Sequence, residues 1–172
     1  MDGATGGRVV VGVGESLAAM QALRYAVAEA RRRGAALRAV RVWRAGTPWH
    51  GYDVDQGRIV AGAAAESTIR RSFDQAMGGL PRDLDFELIA VEGGVGSTLV
   101  AQAPNDDDLL VIGVPTRRRW RFLLSTVDRD CARLASCPVV VVPAPALVRD
   151  HGTRALTRAI KREAERIVLP PR

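Results

Sequence analysis

Cysteine and histidine are both scarce in this 172-residue sequence, and their scarcity excludes several classes of site. The only two cysteines, Cys131 and Cys137, have neither the C-x-x-C spacing of a redox motif nor the spacing of a zinc site. We expect both to be small core residues of a protein in a reducing compartment. His50 and His151 are far apart in loop-like sequence, so no metal site is expected.

Long hydrophobic runs are also absent. The longest, residues 138–148, is interrupted by Pro143 and Pro145 and falls well short of the ~20 apolar residues that span a bilayer. Residues 1–7 lack the charged start and apolar stretch that are typical of a signal peptide. We therefore expect no membrane span and a cytoplasmic location.

Positive charge is abundant but unevenly placed. The formal net charge is +6, and residues 149–172 hold seven basic and three acidic side chains, which leaves that segment at +4. The rest of the chain is close to neutral. We therefore do not expect nucleic acid as the main partner. The alternative, binding through the arginines at 117–121 and the C-terminal segment, predicts affinity that falls steeply with salt.

Hydrophobic residues make up 47% of the chain, which is enough for one domain with a sizeable core. Short β-branched runs alternate with segments that have apolar residues at helical spacing. Ser16 is a candidate N-cap and Gly34 a candidate C-terminal stop for the first helix. Strands are predicted at 8–13, 37–43, 86–91, 109–112 and 139–142, and helices at 17–33, 58–77, 97–103 and from about 125.

The predicted order is β-α-β-α-β-α-β-α-β. Strands that are apolar on both faces, such as Leu109–Ile112, are typical of a parallel sheet covered by helices on both sides. The sequence thus predicts an α/β fold, a three-layer α/β/α sandwich. In the second helix, the expected core positions are Ile59, Ala63, Ile69, Phe73 and Met77, and Glu66 and Arg70 are expected to pair on its surface.

The chain after Pro145 lies outside this alternation. Leu156, Ile160, Ala164 and Ile167 recur at helical spacing among basic residues, so an amphipathic helix is predicted there. We divide the chain into a domain at 1–146 and a basic C-terminal extension at 147–172. Three interpretations of the extension stay open: it packs on its own domain or a sister subunit, residues 149–172 dock a protein partner, nucleic acid or an acidic membrane, or the segment is disordered.

Three segments resemble the universal stress protein family. They are residues 9–16 followed by an Ala-rich helix, residues 108–113, and residues 137–142 after the helix around Cys131. The segments occur in the family's order and spacing and together span about residues 8–142. The resemblance implies a flavodoxin-like sheet of five parallel strands in the order 3-2-1-4-5, often in a homodimer.

Many members of that family bind ATP at the carboxyl ends of the first and fourth strands. The resemblance therefore implies ATP or another adenine nucleotide as ligand. Separately, the residue types present predict no metal. Parallel sheets also bind ligands where neighbouring crossovers diverge, which is the same place. The implied binding residues are Val13, Gly14, Ser16, Val42, Ile112, Gly113, Thr116, Arg117, Arg119, Ser125, Thr126 and Val127.

The phosphate-binding loop departs from the family's pattern of G-x-x-G, nine residues, then G-S or G-T. The match begins at Gly113, but Thr116 replaces the second glycine, the spacer is one residue short, and Ser125-Thr126 replaces the final pair. In addition, Gly14 stands where ATP-binding members carry an aspartate near the base and ribose.

These departures leave two main interpretations open, beside a different anionic ligand or a partner surface for the loop. In the first, the site is vestigial, and Trp120 and Phe122 fill the space of the phosphate. In the second, the site is remodelled, and the arginines between 117 and 121 replace backbone donors by charge-assisted bonds to an anion. The acidic run at 106–108 is expected to form a turn, not a metal site.

The fifth strand, at residues 138–142, would lie at an edge of the sheet. An apolar edge strand is prone to aggregation unless it is covered, so we expect a homodimer through this strand. The expected function is a non-enzymatic, nucleotide-sensing protein of the stress response. The alternatives are a ligand-free scaffold that acts through residues 149–172 and, less favoured, a slow ATP hydrolase.

Overall fold

The computed structural model describes residues 7–44, 54–114 and 126–145. Nine helices and strands alternate along these residues in the predicted order. They are Val9–Gly12 (β1), Leu17–Arg33 (α1), Leu37–Trp43 (β2), Val54–Met77 (α2), Phe86–Glu92 (β3), Val95–Ala101 (α3), Leu109–Val114 (β4), Thr126–Leu134 (α4) and Val139–Pro143 (β5). The predicted C-terminal helix and the division of the chain at residue 146 fall outside the described residues.

The five strands form one sheet in the order β3-β2-β1-β4-β5, and every pairing is parallel. The predicted fold class and strand order are therefore confirmed. Right-handed crossovers place α1 and α2 on one face of the sheet and α3 and α4 on the other. β1 and β4 lie side by side at the centre, and their neighbouring crossovers leave toward opposite faces.

Two apolar layers hold the sandwich together. One lies between the sheet and helices α1 and α2, and Leu23, Phe73 and Val11 are among its largest buried side chains. The other lies under α3 and α4 and includes Leu99 and Leu110. Because β1 and β4 contribute to both layers, their apolar residues are buried on both faces, as their sequences predict.

α1 begins and ends next to the two residues that the sequence predicts as its caps. The Ser16 hydroxyl oxygen accepts a hydrogen bond from the backbone N–H of Ala19 (3.1 Å), which satisfies one of the otherwise unpaired donors of the first turn. Gly34 ends the helix with φ 63°, a left-handed conformation that glycine adopts at little cost. Both predicted caps are confirmed.

The side of α2 that packs against the core differs from the prediction. Ile69 and Phe73 are buried and Met77 packs beside them, but Ile59 is 71% exposed and Ala63 is also exposed, so these two core assignments were wrong. At about 100° per residue, Ala63 lies about 120° and Ile59 about 80° from the direction of Ile69. The true core face includes the small residues Ala65 and Ala76, which give a weak apolar signal.

Two helix boundaries also differ from the prediction. α2 begins at Val54, several residues before the expected start, and its first turn contains the glycine at position 57. α3 runs from Val95 to Ala101, two residues earlier than expected. Glycine is a weak marker of a helix end when the surrounding residues favour a helix.

The surface ion pair that the sequence predicts on α2, between Glu66 and Arg70, is present at 3.1 Å.

Candidate functional site

The carboxyl ends of β1 and β4 meet at the point where the crossovers diverge, and a cavity opens there. It has a volume of about 340 Å³, near the lower end of the usual range for ligand sites, roughly 300–1,000 Å³. The ends of β1, β2 and β4 and the first turns of α1, α3 and α4 surround it. Its lining comprises Gly12, Val13, Gly14, Ser16, Ala19, Val40, Arg41, Val42, Val95, Leu99, Ile112, Gly113, Val127 and Asp128. We refer to it as the site cavity.

Much of the lining is apolar. Val40 and Val42 of β2 contribute to it together with Leu99 of α3, Ile112 of β4 and Val127 of α4. These side chains also belong to the apolar layer under α3 and α4, so the packing of that layer fixes their positions. A wall of this kind fits a flat, mostly apolar group such as a nucleobase.

Two glycines, Gly14 and Gly113, allow the first turn of α1 to lie close to the ends of β1 and β4 at the centre of the site. A Cβ added at Gly113 would lie 2.5 Å from the backbone carbonyl of Ala18, so only glycine lets the first turn of α1 approach the end of β4 this closely. The start of α1 is thereby held against the cavity. At Gly14, an added Cβ would lie 3.3 Å from the Cβ of Ala19, which leaves little room beyond the backbone.

Seven of the twelve residues predicted from the sequence line the site cavity. They are Val13, Gly14, Ser16, Val42, Ile112, Gly113 and Val127. Thr126 is the first residue of α4, and its side chain is not described. Thr116, Arg117, Arg119 and Ser125 lie outside the described residues, as do Trp120 and Phe122. The two interpretations of the phosphate loop therefore both stay predictions.

The sequence interpretation missed two charged residues that line the cavity, Arg41 and Asp128. Nη1 of Arg41 donates a hydrogen bond to the backbone carbonyl of Val13 (3.2 Å), which holds the guanidinium across the end of β1. Asp128 is buried in the first turn of α4, where a carboxylate is favoured by the helix dipole. An arginine between two valines near the carboxyl end of β2 was the signal that could have identified Arg41.

The two cysteines are buried and free, as predicted. Burial is the main cause that raises the pKa of the Cys131 thiol to about 11, and Asp128 and Asp130 raise it further. Burial likewise raises the pKa of Cys137. Both thiols are therefore protonated at neutral pH and are poor nucleophiles.

A larger cavity of about 650 Å³ lies elsewhere, at the turn between α2 and β3. Gly78, Gly79, Pro81 and Arg82 of that turn line it, together with polar residues of α2. It is at the amino end of β3, whereas ligands of open parallel sheets bind at the carboxyl ends. The position of the smaller cavity makes it the better candidate.

Metal-ligand residues do not cluster in the parts of the chain that the structure describes: no group of three or more His, Cys, Asp or Glu side chains could hold an ion there. Of the acidic run, Asp106 and Asp107 are exposed in the turn before β4, and Asp108 is buried. Within the same residues, no helix is long and apolar enough to cross a membrane.

Comparison with known proteins agrees with this architecture. A model described as the universal stress protein family matches residues 7–143. A search of curated proteins returned no match.

Solved structures also match. A universal stress protein from Archaeoglobus fulgidus is 24% identical, with a TM-score of 0.50 over 79% of this chain and 98% of that one. One from Lactobacillus plantarum is 20% identical, with a TM-score of 0.60 over 81% and 99%. One from Arabidopsis thaliana, solved with AMP bound, is 16% identical, with a TM-score of 0.54 over 87% and 98%.

Proposed function

Because the chain belongs to the universal stress protein family, we propose that it is a stress-response protein that binds an adenine nucleotide, or an anionic ligand of similar size, in the site cavity. We propose a sensing role in which the bound ligand changes the affinity of the protein for its partners. The observation that carries this proposal is the position of the cavity, between the carboxyl ends of β1 and β4.

The chemistry of the lining supports a nucleotide. The apolar side chains of Val42, Leu99 and Ile112 suit the face of a base, and Arg41 supplies positive charge at the edge of the same cavity. The volume of about 340 Å³ suits a nucleoside-sized group. The AMP-bound relative from Arabidopsis thaliana is a precedent for such a ligand in this fold.

The proposal is tested by calorimetric titration of the nucleotide-stripped protein with ATP, ADP, AMP and cyclic AMP. Val42→Phe places a larger side chain in the cavity and should abolish saturable binding. Val60→Phe makes the same chemical change on the exposed surface of α2, where Val60 is 67% exposed, and should leave binding unchanged. Equal binding by both variants would mean that the ligand lies elsewhere.

If none of the four nucleotides binds at millimolar concentration, the nucleotide proposal fails. The alternative would then be a ligand-free interaction protein that acts through residues 149–172, which lie outside the described residues. Deleting that segment should in this case abolish capture of a partner, whereas it should leave nucleotide binding intact if the first proposal holds.

We also propose that the protein is a homodimer through β5. This strand is at the end of the sheet and pairs with β4 along one edge. Val141, at its centre, is 44% exposed. An apolar edge strand presents unpaired backbone groups, and pairing with a second copy about a two-fold axis would cover them.

A further inference from the structure

Arg41 gives one end of the site cavity a positive charge. The residue lies in β2 between Val40 and Val42, which both line the cavity. Its Nη1 donates to the carbonyl oxygen of Val13 (3.2 Å), so the guanidinium spans from β2 to the end of β1. Among the residues that the structure describes, no carboxylate forms an ion pair with it.

Residue 14 is glycine, so no side chain of its own occupies the narrow space beside this guanidinium. A Cβ built at Gly14 would lie 3.6 Å from Nη1 of Arg41, so a longer side chain there would contact the guanidinium. The carboxylate of the next residue, Glu15, does not take the place of a carboxylate at position 14, because Glu15 pairs with Arg71 of α2 (3.5 Å) on the exposed surface. Asp128 approaches the cavity from α4, on the other side of β1 and β4.

A guanidinium has five N–H donors in a planar fork that fits the oxygens of a phosphate. The bond to Val13 uses one of them. In dinucleotide-binding sheets of the Rossmann type, an acidic residue bonds the ribose 2′ hydroxyl, or a nearby arginine accommodates a 2′-phosphate. Arg41 of β2, with a glycine and no acidic residue at position 14 beside it, is similar to the second arrangement.

We propose that Arg41 forms an anion subsite that selects adenine nucleotides with a second phosphate on the 2′ or 3′ oxygen of the ribose. This inference rests on the proposed nucleotide-binding function and specifies its ligand class. The probes are 5′-AMP, adenosine 2′,5′-bisphosphate and adenosine 3′,5′-bisphosphate, titrated calorimetrically into the full-length, nucleotide-stripped protein.

At least one bisphosphate should bind about 10- to 100-fold more tightly than 5′-AMP, which is the range for hydrogen bonds to a charged group. Arg41→Gln should remove this gain and leave the affinity for 5′-AMP within a few-fold. Gly14→Asp keeps the arginine but places a carboxylate beside it, and should also remove the gain. Arg38→Gln removes the same charge from the same strand, where Arg38 pairs with Glu87 outside the cavity, and should preserve the gain.

The outcomes separate this inference from the function on which it rests. If 5′-AMP binds but neither bisphosphate binds more tightly, the subsite is refuted and the nucleotide-binding function stands. If Arg41→Gln weakens 5′-AMP and the bisphosphates equally, the guanidinium contacts the 5′-phosphate and selection at the ribose is refuted. If no probe binds, both proposals are overturned.

Discussion

Replacing Asp108 with alanine should strongly destabilise the fold, because this carboxylate is a buried acceptor for several donors. Its side chain is 0% exposed at the start of β4. Oδ1 accepts from the backbone N–H of Arg8 (2.8 Å), and Oδ2 accepts from the backbone N–H (3.1 Å) and the side-chain amide (3.3 Å) of Asn105. The carboxylate thus ties the residue before β1 to the turn before β4.

The magnitude follows from the two backbone bonds. Hydrogen bonds to a charged group contribute roughly 1.5–3 kcal/mol each, so the loss of both predicts a fall of about 3–6 kcal/mol in the free energy of unfolding. That is a large share of the roughly 5–15 kcal/mol that is typical of a domain. Because Asp108 is at the amino end of β4 and the site cavity at the carboxyl end, the folded fraction should still bind ligand normally.

Urea denaturation followed by circular dichroism measures this change. The matched control is Asp107→Ala in the same acidic run, because Asp107 is exposed and its replacement should change stability by less than about 0.5 kcal/mol. A loss below about 1 kcal/mol for Asp108→Ala, or equal losses for the two variants, would refute the reasoning.

Three further predictions concern α1 and β5. Ser16→Ala removes the acceptor for the N–H of Ala19 and should lower the unfolding free energy by about 1 kcal/mol in denaturant titrations, with no loss expected if the cap is not formed in solution. Hydrogen bonds from Arg32 and Arg33 lower the pKa of Glu29 from 4.5 to about 2, so its stabilising effect should be complete above pH 4.5 and lost as the pH falls toward 2. Glu29→Gln should therefore be less stable than the parent at pH 7, and the difference should shrink as the pH falls to 2 and below; a difference that does not change with pH would contradict this. Val141→Lys places a charge at the centre of the β5 edge and should halve the mass measured by light scattering, whereas a parent protein that is already monomeric at all concentrations would refute the dimer.

The sequence predicted those parts of the fold whose signal is local. The apolar runs of β1 and β4 are buried between two helix layers, so they could be recognised as strands without an alternating pattern. Ser16 and Gly34 mark the ends of α1 because capping and left-handed backbone each require particular residue types. The family resemblance added the strand order, which local patterns do not determine.

The face of α2 and two members of the site could not be predicted in this way. Small residues on the core face of α2 carry little hydrophobic signal, so the exposed Ile59 was taken for a core residue. Arg41 is distant in sequence from the glycine pattern that identified the site, and Asp128, which follows the predicted Val127, carries no signal of its own in that pattern. They come together only through the pairing of β2 with β1 and the position of α4, which are tertiary facts.

The central claim is that an adenine nucleotide binds in the site cavity, and the most direct test is an NMR titration with assigned backbone amides. Addition of 5′-AMP should shift the amides of residues 12–14, 16, 40–42, 112–113 and 127–128, which line the cavity, and leave those of the turn between α2 and β3 unchanged. Saturable shifts confined to the first set would support the claim. Shifts centred on residues 78–86, or no saturable shifts at millimolar ligand, would contradict it.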